Sequence, residues 1–459
     1  MFKKEIYQER RAKLRAEMGK GQLLFLGNDE ASINFDHNWY PFRQDSTFLY
    51  YFGISLPGLV GVIDCDADKD YIFGDDYEID DIVWTGPQPT IAELGEQVGV
   101  VNTAPLRKLA DFIKADCHIL PPYRGEHVLK LRELLGKSIE EVESMPSVKL
   151  IQAVAKQRNI KSSEELAEMD EAVSRTSAVH LAVMKAARAG MKEYELVAVA
   201  TSVARSYNAS LSFPPIATIN GQTLHNHYYG NTLKEGDIML FDSGAESTEF
   251  YAGDMTRTFP VSGKFDARQR ELYEIVYNAH RAAVESLRPG KRFLDVHLLA
   301  AETLVEGLKG VGLMKGDAKE AVAAGAHTMF FQCGLGHMMG LDVHDMENLG
   351  EQYVGYTPEL KKSSEFGLKS LRLGKALESN NVITVEPGIY IIPELIDMYK
   401  AEGKFKDFID YNKLDTYRDF GGIRVEEDFV ITDSGADLLG TPLPIAPDEV
   451  EKVRKEALS

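Results

Sequence analysis

Four stretches of the sequence set acidic residues or histidine into strongly apolar surroundings. The first is Asp237-Ile-Met-Leu-Phe-Asp242-Ser-Gly, followed closely by Tyr251-Ala-Gly-Asp254-Met-Thr-Arg-Thr-Phe. The second is Gly334-Leu-Gly-His337-Met-Met-Gly-Leu-Asp-Val-His344-Asp345, the third Val382-Ile-Thr-Val-Glu386-Pro-Gly, and the fourth Gly422-Ile-Arg424-Val-Glu426-Glu427-Asp428. A carboxylate buried in an apolar strand is costly unless it is paired or binds a metal. Singly, each has a plain reading: Asp242 opens a Ser-Gly turn, Glu386 ends a strand at Pro-Gly, and Glu426 faces solvent. Strand alternation puts Glu426 and Glu427 on opposite faces without choosing between them. Taken together, four carboxylates and one histidine form a donor set for two divalent cations bridged by shared carboxylates. Without cations, each converging pair at a separation of about 4 Å would repel by about 4 kcal/mol at an effective dielectric near 20. Two divalent ions cancel four such charges.

These residues need a scaffold that brings distant segments together. Residues 1–157 read as a mixed α/β unit. A helix carries Ile6, Leu14 and Met18 on one side, and Gln22–Leu26 and Thr47–Phe52 read as strands. Val60–Asp64 and Asp70–Phe73 read as a hairpin. The boundary falls near Lys156–Lys161, where Ser162 and Glu165 form a capping box that opens a long helix over about 164–189, stopped by Gly190. From there the order is two helices (the second over about 193–207), then strands ending at Asp242 and Asp254. Two more helices follow, over about 267–286 and 294–307, then strands carrying His337, Glu386 and Glu426. That rhythm predicts an internal duplication within a second domain, 158–459. The polar stretch Glu394–Arg418 reads as an insertion between strands.

Composition narrows the function. The chain of 459 residues has a formal net charge of −20, which repels phosphate backbones and argues against a nucleic-acid partner. The basic cluster Arg10, Arg11, Lys13 and Arg15 reads as a solvated helix face. No apolar run approaches the roughly 18 residues needed to span a membrane, and the charged first twenty residues lack the apolar core of a signal peptide. Cys65, Cys117 and Cys333 are too few and scattered for a disulfide framework, which points to a reducing, cytoplasmic setting.

The four C-terminal motifs, with Tyr40-Pro-Phe-Arg-Gln-Asp-Ser-Thr-Phe-Leu-Tyr-Tyr-Phe-Gly near the N-terminus, resemble the proline-specific metallopeptidases of the creatinase, prolidase and aminopeptidase P family, over nearly the whole chain. The resemblance implies an α+β protein: a mixed N-terminal domain, then a pita-bread catalytic domain with a curved, mostly antiparallel sheet and pseudo-twofold duplication. It implies two metal ions on Asp242, Asp254, His337, Glu386 and Glu426, with Asp254 and Glu426 bridging. Mn2+ is the first expectation, with Co2+ or Zn2+ as alternatives. The family's catalytic histidines match His225, in Thr223-Leu-His225-Asn-His227, and His344. Its arginine two residues before the last ligand matches Arg424, and Arg372, in Lys369-Ser-Leu-Arg372, matches the prolidase arginine that grips a free C-terminal carboxylate.

Two features depart from the family pattern. The Asp242–Asp254 spacing is one residue longer than usual, and Cys333 stands where histidine is usual. Read alone, His344 beside Asp345 could be structural, Arg424 a mere counter-ion, and His227 a surface residue; Cys333 is assigned no catalytic role. The implied reaction is hydrolysis of an Xaa-Pro bond, with Glu386 moving the water proton to the leaving nitrogen and His225 or His344 donating to the developing negative charge. The expected substrate is a proline-containing di- or oligopeptide and the expected assembly a homodimer. Xaa-Pro dipeptidase is the first expectation and Xaa-Pro aminopeptidase, acting on longer peptides, the second. A non-catalytic pita-bread binding protein is a remote third, because such relatives lose ligands that are all present here. Retention of the ligands also disfavours metal-free creatinase chemistry, and the large N-terminal domain disfavours methionine aminopeptidase.

Overall fold

The computed structural model describes all 459 residues and divides into two compact units. One comprises Met1–Arg158 with Met346–Val354; the other comprises Asn159–Asp345 with Gly355–Ser459. The nine residues from Met346 thus belong with the N-terminal unit, although the sequence had suggested a single crossing.

In the first unit, α1 (Lys4–Met18) precedes β1 (Gln22–Leu26), α2 (Ser46–Phe52), β2 (Val60–Asp64), β3 (Lys69–Phe73) and β4 (Asn102–Ala104). The strands form one sheet in the order β1-β2-β3-β4, antiparallel except for the β3–β4 pair. The expected hairpin is present, with Val60 opposite Phe73 and Asp64 opposite Lys69. Thr47–Phe52 is not a strand. The Asp45 side chain accepts the Phe48 N–H at 2.7 Å and Gly53 closes the segment in the left-handed conformation, so it folds as α2. All seven residues of α2 are buried, which erases the polar face that would have revealed a helical period. The basic cluster on α1 is a solvated face only in part: Lys13 is exposed, but Arg10 and Arg11 are buried. Arg11 is fully buried, donates to Asp70 Oδ2 at 2.7 Å and to the Tyr51 carbonyl at 2.7 Å, and Arg10 donates to the Tyr50 carbonyl. Short helices fill the rest of this unit to residue 158.

The second unit repeats one plan. Helices α3 (Ser163–Ala186) and α4 (Glu193–Ser206) pack together and lead into β5 (Ile216–Thr218), β6 (Ile238–Ser243) and β7 (Met255–Pro260). Helices α5 (Ala267–Ser286) and α6 (Phe293–Gly310) also pack together and lead towards β8 (Val382–Val385), β9 (Gly388–Tyr390), β10 (Gly422–Arg424), β11 (Glu427–Ile431) and β12 (Ala436–Leu438). All strand pairs here are antiparallel: β5-β6-β7, β12-β11-β8 and β10-β9. The capping box at α3 is formed: Ser162 Oγ accepts from Glu165 N at 3.3 Å, and Ser162 N donates to Glu165 Oε2 at 3.0 Å. The helix stops at Ala186 rather than at Gly190, which instead takes φ +92° in the turn towards α4. The core lies between helices and strands. Phe241 of β6 is fully buried and meets the His180 ring edge-on at 4.8 Å, while His180 Nε2 donates to the Ser243 carbonyl. The stretch 394–418 carries α7 (Pro393–Glu402) and packs its Phe408 carbonyl on the Lys315 N–H.

Candidate functional site

Strand register brings the acidic residues together. Asp242 sits in β6 opposite Thr256 of β7, and Asp254 immediately precedes β7. Glu427 of β11 pairs with Val385 of β8, so the next rung of that ladder sets Glu386 against Glu426. The Glu426 N–H donates to the Thr256 carbonyl at 3.1 Å, joining β7 to the end of this ladder. His337 is not on a regular strand. It lies in an extended segment along β8, held by Thr384 N to His337 O at 3.1 Å and Glu386 N to Leu335 O at 2.7 Å. The glycine at 336 is required there: a Cβ would sit 2.1 Å from the Thr384 carbonyl oxygen. These candidate residues thus occupy strand ends and breaks, where side chains from several ladders can converge.

One ligand atom from each of Asp254, His337 and Glu426 falls within 4.8 Å of the others, and all three residues are buried. His337 Nε2 stands 3.4 Å from Asp254 Oδ2 and 3.9 Å from Glu386 Oε1. Its Nδ1 faces the Met338 carbonyl at 3.0 Å. A carbonyl only accepts, so Nδ1 carries the proton and the Nε2 lone pair faces the carboxylates, which is how a metal-binding imidazole is commonly oriented. Asp242 Oδ1 and Asp254 Oδ1 are buried without a hydrogen-bond partner. Orphaned carboxylate oxygens around an available imidazole lone pair are the donor chemistry of a divalent-cation site, and the residues fit that group.

Electrostatics agree. Burial, then repulsion from Asp242, raises the Asp254 carboxyl well above the usual range. Burial, then Asp254, Glu386 and Asp242, does the same to Glu426. Burial pushes Glu386 up to about 7 against the pull of His337 and Arg424. Divalent cations would offset both burial and repulsion.

The other candidate residues stand in different relations to the cluster. The buried Arg424 pairs with Asp242 and donates to Tyr390 Oη at 2.9 Å and Thr256 Oγ1 at 3.1 Å. Thr256 in turn donates to Glu426 Oε2 at 2.7 Å, so Arg424 and Glu426 meet the same hydroxyl. Glu427 turns away, to Arg257 at 2.6 Å. The His344 ring is nearly perpendicular to that of His337, with centroids 4.5 Å apart. His225 lies on an exposed loop; burial, then the Arg424 charge, lowers its pKa, and Asp242, Arg372 and His344 also act on it. The Arg372 charge pulls the Asp254 carboxyl down slightly as well. His227 is exposed. Cys333 is half-buried beside Tyr390, and burial pushes its thiol up to about 12, so it remains protonated at neutral pH.

Three residues of this network were not singled out from the sequence. Asp428 Oδ2 accepts the Asp254 N–H at 3.0 Å; its place two residues after Glu426 is the signal that could have found it. Thr256, two after Asp254, offered the same signal. Tyr390 offered none.

Comparison with known proteins accords with this geometry. Residues 7–118 match the aminopeptidase P N-terminal domain and residues 167–433 match metallopeptidase family M24. Human Xaa-Pro dipeptidase is 33% identical over 422 residues, covering 89% of this chain and 84% of its own length. A probable Xaa-Pro aminopeptidase of Ajellomyces dermatitidis is 31% identical over 456 residues, covering 95% and 93%. The structure of E. coli aminopeptidase P with the inhibitor Pro-Leu superposes with TM-score 0.81 at 28% identity, covering 100% of this chain and 99% of that one. The fold is accordingly an N-terminal domain followed by a pita-bread catalytic domain. On the matched length and on the buried acid–histidine cluster that it contains, the chain belongs to metallopeptidase family M24.

Proposed function

We propose that the protein is an Xaa-Pro dipeptidase with two divalent cations, Mn2+ foremost, held by Asp242, Asp254, His337, Glu386 and Glu426. The observation that carries the hydrolase reading is the convergence of Asp254, His337 and Glu426 with orphaned carboxylate oxygens. Bound cations would supply Lewis acidity and lower the pKa of a water. The chain's own residues do the rest. Glu386 accepts the water proton and delivers it to the proline nitrogen, which as a tertiary amide offers no N–H of its own. His344 and His225 donate to the oxygen on which charge develops. Arg424, paired with Asp242 and sharing Thr256 with Glu426, keeps those two carboxylates aimed.

The dipeptidase assignment rests on Arg372, whose charge acts on both Asp254 and His225. A guanidinium beside the cluster suits bidentate capture of a free carboxylate one residue beyond the scissile bond, worth roughly 1.5–3 kcal/mol. The second reading, Xaa-Pro aminopeptidase, is favoured by the full-length likeness to aminopeptidase P structures. Kinetics on Ala-Pro and Ala-Pro-Ala, after chelation and Mn2+ addition, decide between them. Arg372→Ala should reduce kcat/KM for the dipeptide by about ten- to a hundredfold and spare the tripeptide. Equal losses, or a wild type that prefers the tripeptide, would assign an aminopeptidase. A cytoplasmic homodimer is part of the same proposal.

A further inference from the structure

His225 rides on an exposed loop, yet a donor to developing charge must be held still. The two feet of that loop, Ile219 and Asn231, meet at one buried carboxylate. Glu193, at the first turn of α4, is fully buried. Its Oε1 accepts from Ile219 N at 2.9 Å and Asn231 Nδ2 at 3.1 Å, and its Oε2 accepts from Asn231 N at 3.1 Å and Asn231 Nδ2 at 3.0 Å. No cation pairs with it. A carboxylate buried without a counter-ion is held by such N–H donors alone. The main chain adds Glu193 N to Asn231 O at 3.1 Å and Tyr194 N to Tyr229 O at 3.0 Å. Inside the loop, Thr218 Oγ1 accepts from Asn220 N at 2.9 Å and from Asn226 Nδ2 at 3.1 Å, which anchors the residue next to His225. Thr218 ends β5, and β5 pairs with the Asp242 strand, Ile216 lying opposite Asp242.

We propose that Glu193 is a positioning residue: by closing both ends of the 219–231 loop it sets His225 at the metal-ligand cluster. The inference rests on the peptidase reading for its consequence in catalysis, but not for the loop closure itself. A carboxylate near the start of a helix also stabilises that helix on its own account, so the test must separate positioning from helix stability.

Two measurements on the full-length protein do so. Hydrogen exchange, with and without Mn2+, reads the loop directly: Glu193→Gln, and the milder Asn231→Ala, should speed exchange across 219–231 while leaving the interior of α4 protected. Unchanged exchange of the loop amides in Asn231→Ala and in any folded Glu193 variant would overturn the proposal, whatever the protein hydrolyses. The second measurement is a double-mutant cycle on Ala-Pro. Glu193→Gln should lower kcat by about ten- to a hundredfold with little change in KM and with both metal ions retained, Glu193→Asp should recover part of the loss, and the loss should vanish in a His225→Ala background. The same loss in that background would show that Glu193 acts only as a structural residue and would overturn the proposal. A wild type inactive on every Xaa-Pro peptide would instead remove the peptidase reading, and hydrogen exchange would then judge the loop closure alone.

Discussion

Asp254 is the residue on which the cluster turns. Its carboxyl faces His337 Nε2, its N–H is held by Asp428, and one of its oxygens is buried with no partner. Asp254→Asn should therefore abolish hydrolysis and release metal, since an amide cannot neutralise the cations. Metal analysis checks this: two tightly bound ions in an active Asn variant would remove Asp254 from the ligand set. His344 is expected to behave differently. Its ring abuts His337, so His344→Ala should keep both ions but lose on the order of 10²-fold in turnover, as for one transition-state donor; unaltered turnover would make it structural. At this scale the sequence was informative because chemistry leaves a mark on residue type. Acids inside apolar runs stood out without any structure. Glu426 could not be told from Glu427 until Thr256 and Arg257 claimed one each, and Tyr390 was invisible because a tyrosine in an apolar strand looks like core.

Among the elements, helix starts were legible and buried short segments were not. The Ser162–Glu165 box is a local signal and it folds as read. The α2 segment carries the same residue types as a buried strand, and only Asp45 at its start and Gly53 at its end betray a helix. Lys161, just before α3, forms a buried ion pair with Asp345 Oδ2 at 2.9 Å, with side chains 1% and 0% exposed. That pair ties the start of a helix to the residue beside His344. Lys161→Met should cost about 3–5 kcal/mol, because it takes the cation away from a buried carboxylate, whereas adding Asp345→Asn should restore part of the loss. Denaturant midpoints of the single and double variants measure it; additive losses would mean that the pair is not coupled.

Across the whole molecule, buried titratable groups give two opposed pH dependences. His180, His280 and His297 are held by burial down to about 3, and His327 to about 4. Their folded values lie below the unfolded value of about 6.5, so the stability they contribute is complete above that pH and is lost as pH falls, by about 1.4 kcal/mol per group per pH unit. Denaturation curves between pH 7 and 4 should show this loss even with metal bound. The Glu386 carboxyl runs the other way: raised to about 7, it contributes stability below its unfolded value of about 4.3 that disappears as pH rises through 7. Chelated protein should therefore gain more in Tm from Mn2+ at pH 8 than at pH 6, and equal gains would contradict a cation site at this cluster.

The two-unit division has a consequence for the order in which the chain can fold. Residues 1–158 emerge first during synthesis, but their unit includes Met346–Val354, where Asn348 lines a small cavity with Phe25, Asp45, Thr47 and His127. The N-terminal unit must wait for 196 further residues (354 − 158) before its last piece exists. At about 5–20 residues per second this is a delay on the order of 10–40 s. During that interval the early part of the chain lacks the nine residues Met346–Val354 that complete its unit. Nascent chains halted at residue 158 should be cleaved by protease faster than the same segment in chains halted beyond residue 354, by enough room past it to clear the ribosome. The protein is, in that sense, completed backwards: its first domain is finished by a segment translated late.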